Sequence, residues 1–300
     1  MIFFENHIGE FAALATAFFW TITALSFESA EKRIGSVAVN ILRLVIGFAF
    51  LSIFSLLNRH IMFPTDASRE NWLWLTISGF VGFVFGDLFL FKSYGLIGSR
   101  FAMLIMTLVP PITALFSWII IDERLTLLHF FGMSLTFSGI AIAIINRNGK
   151  GEKISLKLSP RGMLYALGGA IGQALGLVLS KVGLRDYDPF AATQIRIIAG
   201  IAGLSILITI MGRWKSILNA VYNREGMKPL TLGAFFGPFL GVSFSLVAVK
   251  HTEAGIASTI MALVPVFIIV PAILIYKQKV TFAEILGSVI SVGGVALFFM

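Results

Sequence analysis

The chain has 300 residues and a net charge of +8, and its composition is 57% hydrophobic and only 13% charged. Because a soluble domain carries about 25% charged residues, this composition excludes an ordinary soluble domain and indicates a membrane protein. The absence of cysteine excludes disulfides and thiolate metal sites. The positive charge does not indicate nucleic acid as a partner, since most Lys and Arg lie in loops beside apolar stretches, where they commonly set membrane topology.

Apolar stretches of about 20 residues recur along the whole chain, which is the length that crosses a hydrocarbon core of about 30 Å. They predict ten transmembrane helices at 8–27, 36–57, 71–92, 99–120, 127–146, 161–182, 190–211, 230–249, 255–276 and 281–300. Lipid cannot satisfy open backbone groups, and no stretch alternates with the period of a barrel strand. We therefore predict an all-α membrane protein. The first residues contain no Lys or Arg, so we expect the first helix to be a membrane span and not a signal peptide.

Two stretches, IMTLVPP at 105–111 and IMALVPV at 260–266, are nearly the same and lie 155 residues apart. The same shift aligns several glycines, and a slightly shorter shift aligns residues nearer the start. The aligned pairs include Gly82 with Gly237, Gly86 with Gly241, Gly132 with Gly287, Gly139 with Gly294 and Arg43 with Arg196. Chance similarity between apolar helices does not readily align glycines, a proline and an arginine in order. The sequence therefore predicts two five-helix repeats, 1–148 and 160–300, joined by a linker loop at 149–159.

An odd number of helices in each repeat predicts that the second repeat enters the membrane from the opposite side. Inverted repeats of this kind are an architecture of transporters, in which the substrate site lies near the membrane midplane between the halves. Alternating access would then follow from rocking of one half against the other. We expect the candidate site residues to lie where the two repeats meet.

Three charged residues fall well inside predicted helices, where each charge costs about 2.5–3.5 kcal/mol on insertion scales and is a functional candidate. Arg43 and Asp87 are predicted at similar depth on antiparallel helices, so they can form either a structural ion pair or a proton-coupling pair. Arg196 is the repeat counterpart of Arg43, but Val242 stands where a carboxylate would be expected. Arg196 is therefore a candidate for binding an anionic substrate group. The alternative for Arg196 is snorkelling to the interface or bonding to carbonyls at a kink.

Further candidates are polar or adaptable side chains at middle depth that could line a substrate cavity. They are Gln173, Trp20, Asn40, Thr193, Ser243, Met106 and Met261. For each of them, packing or a lipid-facing position is an equal alternative. Pro110 and Pro265 occupy equivalent places in the fourth and ninth helices, where each should remove a backbone hydrogen bond and bend its helix. They are candidate hinges, with a tolerated bend of no function as the alternative.

Several segments carry a family resemblance. An arginine opens the second helix in NILRLVIGFA, the fourth helix carries LVPPITALFSWIIIDERLT, and the fifth runs GMSLTFSGIAIAI. Together they resemble EamA-type members of the drug/metabolite transporter superfamily, of the YddG-like kind. The resemblance covers nearly the whole chain and implies a ten-helix exporter or exchanger of small metabolites in the cell (inner) membrane. The chain departs from the family at Trp20-Thr21, where Trp-Gly is frequent, and at Gln278, the counterpart of Glu123.

The sequence and this resemblance favour a secondary active transporter that exports or exchanges small amphipathic metabolites, such as amino acids, by alternating access. The sequence has no G-x-x-x-x-G-K-[ST] motif, so ATP is not expected to be the direct energy source. It indicates no cofactor and requires no oligomer. The expected partners are a small-molecule substrate, the lipid bilayer and protons as a candidate coupling ion.

Two alternative functions belong to other classes. A lipid flippase or scramblase predicts polar residues along one helix face over its full length, whereas the polar residues here cluster at middle depths on several helices. An intramembrane enzyme is less favoured, because the sequence contains neither His-Glu-x-x-His nor Gly-x-Ser-x-Gly and suggests no catalytic residue or metal cluster. We therefore do not expect an enzyme.

The orientation of the termini is left open by two conflicting indications. The loops on the side of the membrane away from the termini hold most of the Lys and Arg residues, so the positive-inside rule places the termini outside. The family resemblance implies that the termini are inside.

Overall fold

The computed structural model describes residues 2–145, 159–274 and 281–300. All regular secondary structure within these ranges is helical. The all-α prediction is therefore confirmed for the described part of the chain, which leaves most of the linker at 149–159 outside it.

The first half contains seven α-helices, two of which are joined by a π-helical segment. The helices are α1 (Ile2–Asn6), α2 (Ile8–Ile34), α3 (Ser36–Arg59), α4 (Arg69–Gly79), α5 (Asp87–Met106), α6 (Val109–Ile121) and α7 (Leu127–Ile145). The first π segment, Phe80–Gly86, connects α4 to α5 without a break.

The second half repeats this plan with additional breaks. Its helices are α8 (Pro160–Leu184), α9 (Pro189–Met211), α10 (Trp214–Val221), α11 (Arg224–Ala234), α12 (Val242–His251), α13 (Ala254–Met261), α14 (Val264–Phe267), α15 (Ile269–Leu274) and α16 (Phe282–Ala296). The second π segment, Phe235–Gly241, connects α11 to α12. A 3₁₀ turn at Leu297–Phe299 ends the chain.

Eight helical segments are long and apolar enough to cross a membrane. They are Ile8–Ile34, Ser36–Arg59, Arg69–Leu90, Pro160–Leu184, Pro189–Met211, Arg224–His251, Ala254–Pro271 and Phe282–Phe299. The predicted fourth span, 99–120, begins inside α5 and ends in the shorter apolar helix Val109–Ile121, and the predicted fifth span corresponds to the shorter apolar helix Leu127–Ala143. The count of ten spans therefore stays a prediction.

The predicted loop between the third and fourth spans is wrong, because α5 continues through this region as far as Met106. The segment SYGLIG at 93–98 has the glycines and serine of a turn. However, α8 packs along α5, and its Gly162 lies against Leu96 and Ile97. Tertiary packing of this kind overrides local propensity.

The two halves meet through equivalent helices that run antiparallel. Thr136 of α7 and Ser291 of α16 are 155 residues apart, and each donates its hydroxyl to the backbone oxygen of the other, at 3.4 and 3.3 Å. Closely packed glycines flank this pair in reversed order, with Gly132 against Gly294 and Gly139 against Gly287. Reciprocal contacts between equivalent residues are those of a twofold relation. They fit a two-repeat architecture.

Regular helical hydrogen bonding is interrupted before each of the two prolines. The chain makes a turn at Thr107 and Leu108 between α5 and α6, where Leu108 keeps right-handed helical dihedral angles, and Pro110 then occupies the first turn of α6. The same happens between α13 and α14, where Pro265 lies in the first turn of α14. A proline is tolerated in a first turn because the N–H that it lacks would have no partner there. The helical hydrogen bonding is thus interrupted before each proline, and the role of Pro110 and Pro265 as hinges stays a prediction.

Candidate functional site

Each half contains one π segment within the described residues, and several candidate site residues lie around these two segments. They lie at equivalent positions, and π turns are rare features that are frequent at functional sites. Gly86 ends the first segment against Gln173 of α8, and a methyl group added at Gly86 would lie 3.2 Å from Gln173 Nε2. Gly241 ends the second against Trp20 of α2, where the corresponding distance to Trp20 Nε1 is 2.6 Å. Trp20 and Gln173, both candidate site residues, thus lie against equivalent glycines of the two π segments.

Asp87 lies at the centre of a buried polar cluster on the first π segment. Its side chain is 11% exposed, and its Oδ2 forms an ion pair with Nη2 of Arg43. Gln173 donates its Nε2–H to Asp87 Oδ1 at 2.9 Å and also approaches the backbone oxygen of Gly82 at 3.4 Å. Both carboxylate oxygens of Asp87 are therefore engaged, one by a cation and one by an amide.

Arg196 lies on the other side of the same π segment without a carboxylate partner. Its residue is 5% exposed, its guanidinium is 5.1 Å from the ring centroid of Phe83, and its buried Nε has no hydrogen-bond partner. No acceptor among the described residues binds this guanidinium. A cation over an aromatic face is partly stabilised, but its capacity for charge-assisted hydrogen bonds is unused.

Gly82 connects the two sides of this arrangement. A methyl group added there would lie 3.5 Å from Arg196 Nη2, while the Gly82 carbonyl faces the amide of Gln173. The absence of a side chain at Gly82 therefore lets Arg196 and Gln173 approach the same turn. We call Arg43, Asp87, Gln173 and Arg196 the central cluster.

A pocket of about 100 Å³ leads from one end of the helices to Asp87. It is lined by Ser36, Val37, Asn40, Asp87, Leu88, Leu204, Leu207, Ile208 and Met211. Ser36 begins α3 and Met211 ends α9, so the pocket starts at that face of the helical bundle. Asn40, a predicted site residue, therefore lines the same pocket as Asp87.

The remaining candidates form no hydrogen bond with the central cluster among the described residues. Thr193 is fully buried and donates its hydroxyl to Pro189 O of its own helix at 2.8 Å. Ser243 is fully buried with a free Oγ, and Met261 belongs to the apolar core that Trp20 also contacts. Met106 is half-buried at the end of α5. Their predicted contact with substrate stays a prediction.

Sequence reasoning missed a polar network at the face where α2 begins. Glu123 forms an ion pair with Lys181, and its Oε2 accepts the Ala254 N–H at 2.9 Å. Lys181 Nζ donates to Thr252 O at 2.6 Å, and Thr252 Oγ1 donates to Glu10 Oε1 at 2.7 Å. We call these five residues the N-terminal-face network. Each of its contacts except that between Lys181 and Thr252 joins the two halves. In the sequence, the segment DERLT, which contains Glu123, was the one local pattern that pointed to this network.

A second group strengthens the same face. Tyr187 donates its hydroxyl to Asp66 at 2.9 Å, and Asp66 also forms an ion pair with Arg59. Burial raises the pKa of Tyr187 to about 12, so this phenol remains a donor at neutral pH. At the opposite face, the described part of the chain offers one long bond between the halves, from Asn223 Nδ2 to Arg33 O at 3.5 Å.

These apolar helices, and a buried charged cluster where two helical repeats meet, define a multi-pass membrane protein of the transporter class. The sequence model of the EamA-like transporter family matches residues 7–145 and again residues 160–300. The chain belongs to this family. The two matches fit the two-repeat architecture, and membership supports a function in membrane transport. The YddG-like subtype stays a prediction.

Similar proteins support the same general conclusion. The chain is 26% identical over 189 residues to the uncharacterized transporter YvbV of Bacillus subtilis strain 168, covering 63% of this chain and 59% of that protein. It is 25% identical over 232 residues to YyaM of the same strain, also an uncharacterized transporter, covering 76% and 73%. One solved crystal structure has a TM-score of 0.78 at 19% identity, covering 98% of this chain and 96% of that one, which shows the fold alone.

Proposed function

We propose that the protein is a secondary active transporter for small amphipathic metabolites with an anionic group, such as amino acids. It exports or exchanges them across the cell (inner) membrane by alternating access between two inverted repeats of five spans each. The observation that carries this proposal is the buried guanidinium of Arg196 in the central cluster, which has no carboxylate partner among the described residues.

An anionic substrate group follows from the charges around the first π segment. Asp87 is neutralised by Arg43, whereas Arg196 lacks a counter-ion among the described residues. A buried cation without a partner is costly, and a guanidinium binds a carboxylate through two parallel hydrogen bonds. A substrate carboxylate would therefore supply the missing acceptor at Arg196.

Coupling is assigned to Asp87 and Arg43. A proton that reached Asp87 through the pocket beside Asn40 would neutralise the carboxylate and release Arg43 from the ion pair. Arg43 also interacts electrostatically with Glu31 at the end of α2, which offers it a second carboxylate. Protonation would thus change the contacts of α3 with α5.

Alternating access is supported by the unequal faces of the protein. The N-terminal-face network ties the halves together at one face, while the pocket to Asp87 begins at the other. Rocking of the halves would break the network and close the pocket. The interrupted helices before Pro110 and Pro265 are the proposed hinges, because the regular helical hydrogen bonding already stops there and a bend would not have to break a helix interior.

The proposal is tested with purified protein in liposomes and a panel of radiolabelled amino acids, with and without a pH gradient. Arg196→Gln should lower transport by about 10- to 100-fold, as expected for a charge-assisted hydrogen bond. Arg124→Gln is the matched control, since Arg124 is exposed and, within the described residues, its guanidinium forms an ion pair with the equally exposed Asp122 at 3.4 Å. Asp87→Asn should abolish the response to the pH gradient.

Two results would contradict the proposal. Transport that is unchanged in Arg196→Gln would remove Arg196 from the substrate site. Failure with every small metabolite, together with movement of fluorescent phospholipid between leaflets, would favour the flippase alternative.

A further inference from the structure

Helix α10 is a short element set apart at the end of α9. Gly212 ends α9 with a left-handed φ of +63°, and α10 begins two residues later. One side of α10 packs inward, because Ile217 and Ala220 are 4% and 5% exposed and belong to the core that includes α3. After α10, the side chain of Asn223 caps α11 by accepting the Gly226 N–H at 3.0 Å. The helix is therefore fixed in place on its inner side.

A second side of α10 is apolar and exposed. Trp214, Leu218 and Val221 are 40%, 60% and 44% exposed. Their spacing of four and then three residues places them along one stripe of the helix. Trp214 is held at the end of α9, since its Nε1–H donates to Thr209 Oγ1 at 2.9 Å. This stripe is distinct from the buried side that holds Ile217.

Basic residues flank the exposed stripe along the chain, in α10, just before it and in the first turns of α11. They are Arg213, Lys215, Arg224 and Lys228, and all four are exposed. Within the described part of the chain, no carboxylate lies within ion-pair distance of any of them. Positions 213–228 contain one acidic residue, Glu225, against these four basic residues, so the segment has a net positive charge. We call the exposed stripe and these four basic residues the α10 surface.

We infer that the α10 surface binds anionic phospholipid headgroups, with α10 lying in the plane of the membrane interface. Helices that combine a Trp- and Leu-containing face with flanking Lys and Arg lie in the interface in this way, and anionic lipids attract them. An acidic protein partner would also match the charge. The lipid is favoured because Gly212 joins α10 directly to the membrane span α9, which holds the stripe at the bilayer boundary.

The first test compares thermal stability in nanodiscs of phosphatidylcholine alone and of phosphatidylcholine with phosphatidylglycerol. The anionic lipid should raise the melting temperature of the unchanged protein by several degrees. The double variant Arg213→Gln/Lys215→Gln should lose at least half of this increase. The matched control Arg69→Gln/Arg124→Gln removes two exposed charges from the opposite face and should keep the increase in full. An equal loss in both double variants, or no effect of phosphatidylglycerol, would overturn the proposal.

The second test locates the exposed stripe directly. Since the chain has no cysteine, Leu218→Cys can carry a single environment-sensitive fluorophore. Its emission should shift to the blue in vesicles and be quenched by lipids that carry a spin label at the headgroup. Asn219→Cys, one position further along the helix, should report water. A water-like signal from Leu218→Cys in vesicles would overturn the lipid proposal and leave the stripe for a protein partner.

Discussion

The two π segments have the same backbone form, and their surroundings differ in charge. Beside the first segment, Asp87 is paired with Arg43 of the same half. Beside the second, Val242 occupies the equivalent position, and the equivalent arginine, Arg196, has no carboxylate partner among the described residues. Arg196 instead lies against Phe83 of the opposite half.

The two halves therefore share their backbone features and differ in their charged side chains. Both halves keep the glycines, the π turn and the interrupted helix, and the glycines bring neighbouring helices into close contact. The arginine is also kept, as Arg43 and Arg196, whereas the carboxylate of Asp87 is replaced by Val242 in the second half. In the proposed site, the carboxylate of the first half pairs with Arg43, while Val242 leaves Arg196 available for an anionic substrate group.

The largest effect is expected from Asp87→Val, which gives the first half the residue of the second. Removing one partner of a buried ion pair costs about 3–5 kcal/mol, so the melting temperature in detergent should fall sharply. The double variant Asp87→Val/Arg43→Leu removes the unpaired charge as well and should recover most of the loss. Equal melting temperatures for the single and double variants would show that the pair is not energetically coupled.

The converse change, Val242→Asp, offers Arg196 the carboxylate that the first half already has. The new carboxylate should compete with an anionic substrate and raise its KM by about tenfold or more, as expected for a charge-assisted bond. Val242→Asn is the control of similar size without charge, and its KM should change little. The measurement is initial uptake into liposomes; an equal KM in both variants would separate Arg196 from substrate binding.

A smaller effect is expected where the halves are joined. Glu123→Gln weakens the N-terminal-face network by removing its ion pair with Lys181. A cysteine introduced at the buried Ser258 should then react with a maleimide about tenfold faster. The closed face loses one charged hydrogen bond, so less free energy is needed to open it. Asp122→Asn, the exposed neighbour, should leave the labelling rate unchanged. Similar rates in both variants would argue against a closing role for the network.

The smallest effect concerns Tyr187 at the same face. Its pKa is raised to about 12 in the folded protein, compared with about 10 for an unperturbed tyrosine. A raised pKa means that its stabilisation is complete below pH 10 and is lost as the pH rises from about 10 to 12. The melting temperature of the unchanged protein should therefore fall more over this range than that of Tyr187→Phe. Parallel curves would contradict the assignment.

Much of the fold could be predicted because it follows from periodic patterns. Long apolar stretches predict the helices, and the shifted glycines predict two repeats; that the equivalent helices α7 and α16 pack together, with Gly132 against Gly294, is seen in the structure. Helix α10 could not be predicted in this way, since eight residues are too few to form a membrane span. The helical segment 93–98 was also missed, because its helical form depends on packing against α8.

The site was only partly predictable, because contacts between distant helices depend on packing and not on periodic patterns in the sequence. Arg43 and Asp87 could be placed at similar depth from their distances to helix ends. The contact between Gln173 and Asp87 depends on how α8 packs against α5, which depth does not reveal. The link from Glu10 to Thr252 joins residues 242 positions apart, and no local pattern indicates it.

The π segments have a further consequence for the register of the helices that follow them. In an α-helix each residue turns by about 100° and advances by about 1.5 Å. If the first segment rewound as an α-helix, the residues beyond it would change register by one residue relative to α4. Asp87 would rotate away from Arg43 and Gln173 although the helix ends would hardly move. A change from π-helix to α-helix within one turn would thus change which side chains face the centre of the protein.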